Sequence, residues 1–328
     1  MIVSRKIKSF FNPEHFQGWG RQRNYFEGWY FKVVSADGSR AFAFIPGIAM
    51  DADGHAHAFV QVLDGKRKTA AYHRFDADDF RPAADRFYVE VAGSSFSQES
   101  IQLDLEGLSG NLHFTGNVPW PKPFYAPGIM GPFSFVPYME CYHGIVSMDH
   151  AISGMLYHGG EAIDMDGGRG YIEKDWGRSF PSAYMWMQCN HFQESGISLK
   201  ASVARIPWLG RGFTGFISGL WLGDRLIRFT TYNGTVLRKC RADTGKVELV
   251  LENPWYTMQI AVDRDGTTAL ASPIMGMMDG RIEESMTSAM RVQLTHRQSR
   301  KIVFEGQGNH AAVEVAGEVD RIMTKLSV

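Results

Sequence analysis

Two short stretches of this 328-residue chain set carboxylates among aromatic side chains at every second position. In Tyr25-Phe26-Glu27-Gly28-Trp29-Tyr30-Phe31, a strand would place Tyr25, Glu27, Trp29 and Phe31 on one face. A carboxylate among aromatic rings either finds a cation, with Arg21 and Arg23 nearest in sequence, or is held protonated as an acid. In Tyr171-Ile172-Glu173-Lys174-Asp175-Trp176-Gly177, Glu173 and Asp175 share a face while Lys174 and Trp176 take the other. Two carboxylates about 7 Å apart along a strand can raise one another's pKa, which is how a carboxylic acid stays protonated near neutral pH. The competing reading is a solvent-facing edge on which Lys174 neutralises a neighbour. A third stretch, Tyr184 to Asn190, puts Tyr184, Trp186, Gln188 and Asn190 on one face and Met185, Met187 and Cys189 on the other. Buried amides need partners, so that mixed face either lines a polar-tipped cavity or packs a hydrogen-bonded core.

Other chemistries find no support. His55 and His57 stand two apart, and His143 and His150 seven apart, with no HExxH or Cys/His quartet, so no metal site is expected. Cys141, Cys189 and Cys240 are scattered and odd in number, which fits a reducing compartment rather than a disulfide framework. No phosphate-cradling glycine loop and no GxSxG elbow occurs. A net charge of −1 without a run of like charge argues against nucleic-acid binding. The N-terminal residues lack a signal-type apolar core, and no run of about 18 apolar residues is present, so a cytoplasmic chain is expected. Peripheral contact with a membrane stays open, and no protein partner is implied.

The elements that must position these residues are strands. Runs of β-branched and aromatic residues closed by Gly, Asp or Asn recur at short intervals, and helical periodicity is nearly absent. Residues 29–34 and 41–45 read as a hairpin around Ser35-Ala36-Asp37-Gly38. Only residues 282–288 and the N-terminus suggest helices. An all-β barrel or sandwich, or two of them, follows. Trp29 and Trp186 open similar aromatic hairpins, and glycines cluster at 159–160 and 167–168, so the expected division is 1–165 and 166–328. Residues 119–138 hold too many prolines for a central strand and too many aromatics for an ordinary loop, so they either cover a cavity mouth or seal a barrel end. Sixteen methionines and 13% aromatics suit an adaptable apolar cavity as well as a large core.

Taken together, residues 23–33 (RNYFEGWYFKV), 171–190 (YIEKDWGRSFPSAYMWMQCN) and 311–317 (AAVEVAG) resemble the tocopherol cyclase family over nearly the whole chain. Plant members tend to carry Asn where this chain has Asp175. The resemblance implies two lipocalin-like antiparallel halves with an apolar cleft between them. It also implies a cofactor-free enzyme that adds a phenolic oxygen across the trisubstituted double bond of a prenylated hydroquinone. Protonating an alkene needs an acid, for which Asp175 ranks first, Glu27 second, and Glu173 stands beside them. A tertiary cation needs electron-rich faces, for which Trp29, Trp176 and Trp186 are candidates. Tyr30, Tyr184, Gln188, Asn190, Tyr138 and Met275 complete the expected substrate contacts, and the two carboxylate motifs read as walls contributed by different halves. The alternatives are a hydratase or cyclase of another polyene and a non-catalytic lipid carrier.

Overall fold

The period-two patterns fold as strands because half-buried pleated surfaces accept β-branched and aromatic side chains. The computed structural model describes residues 2–208, 211–319 and 322. After one helix, α1 (Ile2–Phe10), the first sheet is built from β1 (Tyr25–Val34), β2 (Ala41–Met50), β3 (Ala56–Asp64), β4 (Thr69–Asp76), β5 (Phe80–Pro82), β6 (Tyr88–Val91), β7 (Ser94–Ser97), β8 (Ser100–Leu105), β9 (Leu108–Thr115), β10 (Cys141–His158), β11 (Glu161–Asp164) and β12 (Gly168–Gly177). The second sheet holds β13 (Tyr184–Cys189), β14 (Ile197–Trp208), β15 (Arg211–Leu222), β16 (Leu226–Thr230), β17 (Val236–Ala242), β18 (Lys246–Glu252), β19 (Tyr256–Asp263), β20 (Thr268–Ile274), β21 (Met277–His296) and β22 (Ile302–Ala316). The fold is all-β, and every strand pair whose register is resolved is antiparallel. Among the described residues, no helix is long and apolar enough to cross a membrane.

Both sheets follow one plan. The twelve-stranded sheet runs β4-β3-β2-β1-β12-β10-β9-β8-β7-β6-β5, with β11 paired to β10, and the ten-stranded sheet runs β16-β15-β14-β13-β22-β21-β19-β18-β17, with β20 paired to β21. In each, a four-strand meander opens the sheet and the last strand returns to lie beside the first. The paired aromatic hairpins noticed in the sequence are β1–β2 and β13–β14, at equivalent positions of this plan.

By its internal contacts the chain divides after Phe180, with Leu270–Arg281 grouped with the first unit and Pro181–Ala269 and Ile282–Val328 forming the second. The sequence places the division at 165. The glycine clusters that suggest it are tight turns inside the first sheet: Gly159, Gly160 and Gly167 have positive φ and connect β10, β11 and β12. Residues 282–288 are strand rather than helix, because β21 is recruited by pairing with β22 at Glu284↔Glu314 and Ser285↔Val313. Strand β10 escapes sequence detection because His, Gly and Ser interrupt its alternation and register shifts occur between Ile145 and His150.

Two hydrogen bonds from main-chain amides hold the Leu270–Arg281 hairpin tip within the first unit. Ala271 N donates to Gln61 Oε1 at 2.8 Å, and Gly276 N donates to Arg178 O at 2.6 Å. Gly276 has φ +88°, and a Cβ there would lie 2.0 Å from Met50 O, so only glycine fits.

Strand β12 decides the first unit's interior. Its register against β1 pairs Glu27↔Trp176, Gly28↔Asp175, Trp29↔Lys174 and Tyr30↔Glu173. Glu27, Trp29, Lys174 and Trp176 therefore face one side, where Tyr25, Trp29, Phe31 and Ile172 join the hydrophobic core. On that side Lys174 Nζ lies 2.5 Å from Glu27 Oε1, and neither side chain is exposed. The ammonium also donates to Pro13 O at 2.9 Å and to His15 O, and sits 4.7 Å from the Trp29 ring centre and 4.8 Å from that of Trp176. Glu27 accepts from Gln17 N at 2.9 Å, Gly18 N at 3.0 Å and Tyr25 Oη. Burial pulls the Lys174 pKa down, and Glu27 opposes it.

Removing one member of such a pair strands the other's charge, which costs about 3–5 kcal/mol. Lys174→Met is expected to lower the free energy of urea unfolding by that much, and Glu27→Gln/Lys174→Met to recover most of the loss. Unfolding followed by tryptophan fluorescence measures both.

Candidate active site

The opposite face of β1 and β12 carries the other carboxylates. Register places Tyr30, Tyr171, Glu173 and Asp175 there, together with His143 of β10, which pairs with Asp175. His143 stands between the two acids: its Nδ1 is 2.6 Å from Asp175 Oδ1 and its Nε2 is 3.3 Å from Glu173 Oε2. Tyr171 Oη donates to Glu173 Oε2, and Cys141 Sγ lies 3.8 Å from Asp175 Oδ1. Burial, followed by the adjacent Glu173 charge, drives the Tyr171 phenol far above its ordinary pKa, so it remains a donor. Burial and then Asp175 likewise hold the Cys141 thiol protonated. The set is a row of proton-carrying groups, Tyr171–Glu173–His143–Asp175, hydrogen-bonded at its two ends and joined in the middle by the 3.3 Å approach of His143 Nε2 to Glu173.

Exposure along that row is graded. The Glu173 side chain is 5% exposed, while Asp175 reaches 23%, so Asp175 is the more open end. Its cross-strand neighbour Gly28 is the one residue of β1 that is not buried. Gly28 in turn pairs with Gly47 of β2, and Gly47 with Phe59 of β3. A single row therefore runs from Asp175 over two residues without side chains to Phe59. The Phe59 ring leans back over that bare backbone: a Cβ on Gly47 would meet Phe59 Cζ at 2.4 Å, whereas one on Gly28 would have no neighbour nearer than 3.5 Å. A methyl at Gly28 would thus fit in ordinary contact with Pro46 O, Ile45 and Phe59, in a row that has an acid at one end and an aromatic ring at the other.

Beyond Phe59, its ring stacks on Tyr72 at 5.3 Å, and Tyr72 Oη meets His57 Nε2 at 2.8 Å. Burial, helped by Arg74, lowers the His57 pKa to about 4, and burial alone lowers that of His150 to about 3, so both are neutral at pH 7.

The residues singled out from sequence fall into separate places. Glu173, Asp175 and Tyr30 lie on the face just described. Glu27, Trp29 and Trp176 lie on the other face of the same two strands. Glu27 and Asp175 do not come from different halves: both belong to the first unit, back to back across its sheet. Glu27 finds its cation in Lys174 rather than in Arg21 or Arg23, and its oxygens are occupied by protein donors. Trp29 is fully buried and stacks on Phe87 at 5.6 Å. Tyr138, in residues 119–138, is 91% exposed, and Met275 lies half-exposed at the tip of the Leu270–Arg281 hairpin. In the second unit, Tyr184, Trp186 and Gln188 share a buried polar face with Lys200, Ser202 and Glu314, and Tyr184 Oη donates to Glu314 Oε2 at 2.8 Å. Asn190 is buried just past that strand, and Met185, Met187 and Cys189 enter the second unit's core.

Sequence reasoning missed His143, Gly28 and Phe59. The alternation Cys141-His143-Ile145 was the available signal for His143, but its partner strand lies beyond two turns. As for metals, ligand atoms of His143, Glu173 and Asp175 lie within 4.8 Å of one another, as do those of exposed Asp51, Asp53 and His55. In the first trio each imidazole nitrogen already faces a carboxylate, so a cation would have to displace a hydrogen bond. In the second, Asp51 accepts from the Asp53 and His55 amides as the cap of a turn.

Residues 112–317 match the model of the family described as tocopherol cyclase-like. The chain is 24% identical to a probable chloroplastic tocopherol cyclase of Oryza sativa subsp. japonica over 91% of its own length and 76% of that protein. It is 22% identical to the chloroplastic tocopherol cyclase of Zea mays, over 95% and 78%. Among solved structures, CghA superposes with a TM-score of 0.55 at 12% identity, covering 90% of this chain and 88% of that one. An AttH-type protein of Nitrosomonas europaea gives 0.53 at 14%, covering 88% and 92%. The likeness to both structures is one of fold.

The neutral histidines fix an acid limb for stability. Where the folded pKa lies below the unfolded value near 6.5, the unfolded chain binds the extra proton, so stability rises with pH across that gap. Stability is therefore expected to fall as pH drops from 6.5 to about 4 through His57, and on towards about 3 through His150. Urea midpoints across this range are expected to flatten in His57→Gln/His150→Gln.

Proposed function

Because the chain belongs to the tocopherol cyclase-like family, its matched segment covering residues 112–317, we propose that it closes a chromanol-type ring on a prenylated hydroquinone by acid catalysis, with Asp175 as the proton donor. The observation that carries this reading is the side-chain-free backbone at Gly28 beside Asp175, the more exposed end of the row in which His143 stands between two acids.

In this reading, the prenyl double bond lies over Gly28, and the Asp175 carboxyl transfers its proton to the less substituted alkene carbon. The positive charge develops on the tertiary carbon, where the phenolic oxygen of the same molecule adds and forms the C–O bond. The phenolic proton returns to the carboxylates, so reactant and product have equal mass and no other reactant is consumed. His143 acts as a positioning residue: held between two acids, it fixes the Asp175 carboxyl and passes a proton to it from the Glu173 side. Tyr30 and Phe59 are aromatic groups on this face that favour a nearby cation, whereas Trp29 and Trp176 serve Lys174 instead. Glu27 has no part in the proton transfer; it anchors the opposite face. Capture of the cation by water instead of the phenol would make the protein a hydratase, and binding without conversion would make it a carrier.

With a purified prenylated hydroquinone, Asp175→Asn is expected to reduce kcat by about 100-fold or more while leaving KM within a few-fold. Gly28→Ala is expected to stay folded, given the room around its Cβ, and to raise KM as the added methyl fills the floor. Chromatographic retention and mass separate a cyclised product from a hydrated one and from returned ligand. Full turnover in Asp175→Asn, or a wild-type protein that returns its ligand unchanged, would overturn the assignment.

A further inference from the structure

Helix α1 is amphipathic in an inverted sense. Several of its contacts with the protein are polar: Ser9 is buried, Gln17 Nε2 donates to Ser9 O at 2.7 Å, and Arg5 stacks over the Trp19 ring at 4.7 Å. Its apolar residues point outward instead, with Ile2, Val3, Ile7 and the following Phe11 exposed, Val3 to 70%. Burying these four against the fold would have been the usual outcome for a surface helix.

The second component is the proline-rich stretch 119–138. It is anchored by Trp120 and Ile129, both buried, and by Tyr142 Oη donating to Val136 O at 2.8 Å. Several of its other aromatics stand out from the surface, with Phe124 at 79% exposure, Tyr125 at 64% and Phe135 at 50%. The two components are continuous: the Phe10 and Phe135 rings meet at 5.2 Å, and Gly128 packs on Pro13.

Charge completes the picture. Across residues 2–11 and 119–139 there is no Asp or Glu, while Arg5, Lys6 and Lys8 are present, in a chain whose net charge is −1; Lys122 also lies there but pairs with Glu14 at 2.5 Å. Apolar side chains interleaved with cations and free of acids complement a surface that is apolar below and anionic above.

We propose that α1 and the 119–138 stretch form one docking face for the surface of an anionic lipid bilayer, into which the outward aromatic and aliphatic side chains insert. The proposal concerns binding alone and stands independently of the acid chemistry at Asp175; a failure of either leaves the other measurable.

The test is co-sedimentation of the full chain with extruded vesicles of phosphatidylcholine alone and of phosphatidylcholine with 30 mol% phosphatidylglycerol. Binding is expected to the mixed vesicles, at least tenfold weaker to the neutral ones, and to weaken as NaCl is raised from 50 to 500 mM. Ile7→Glu/Phe11→Glu and, separately, Phe124→Ser/Tyr125→Ser are expected to lose at least tenfold in vesicle affinity. All four positions are exposed, so unchanged circular dichroism and thermal midpoint are expected to show that the variants are folded. Lys6→Glu/Lys8→Glu is expected to lose the preference for phosphatidylglycerol. Failure of the wild-type chain to sediment with either vesicle would overturn the proposal. So would a lipid-free dimer by light scattering that the Ile7→Glu/Phe11→Glu change dissolves, since the face would then belong to a second copy.

Discussion

The first unit is organised around one ion pair, Lys174 with Glu27, from which water is excluded. Two unscreened charges inside a hydrophobic core are tolerable only when their remaining valences are filled. The filling is done by main chain: two amides at Gln17 and Gly18 for the carboxylate, two carbonyls at Pro13 and His15 for the ammonium. The pair thereby fastens the segment preceding the first strand to the last strand of the same sheet. It also sets the register of β1 on β12, because a slip of one residue would leave the two charges on opposite faces of the sheet.

That register has a chemical result. Successive residues of β12 alternate between two environments: Lys174 and Trp176 enter a dry interior, while Glu173 and Asp175 meet His143 on the other side. An anchor and a reactive cluster are thus built on one strand, back to back, and the rigidity of the first holds the geometry of the second. The histidine between two carboxylates depends on such rigidity, since each of its nitrogens must keep its own partner.

Much of this was legible in the sequence, and what was not has physical causes. Alternation alone gave the strands around Trp29 and Trp186, and it correctly separated Glu173 and Asp175 from Lys174. It could not reveal that Glu27 and Lys174 meet, because strand pairing between distant segments leaves no local trace. The nearby arginines, Arg21 and Arg23, were the natural but mistaken partners; Arg21 lies over the Tyr25 ring instead. The turn glycines near 160 and 167 looked like a linker because a tight hairpin and a domain junction draw on the same residues. Residues 282–288 read as a helix because Glu and Met favour one, and pairing with β22 overrode that preference. Gly28 was invisible as a site residue, since its contribution is the absence of a side chain.

A floor made of main chain has an evolutionary asymmetry. Glycine is already the smallest residue, so any point mutation at Gly28 can only narrow the space beside Asp175. Relatives that accept bulkier molecules cannot arise by change at this position and must instead reshape the walls, Phe59 and Ile45 first, while those that prefer slimmer ones are a single codon away.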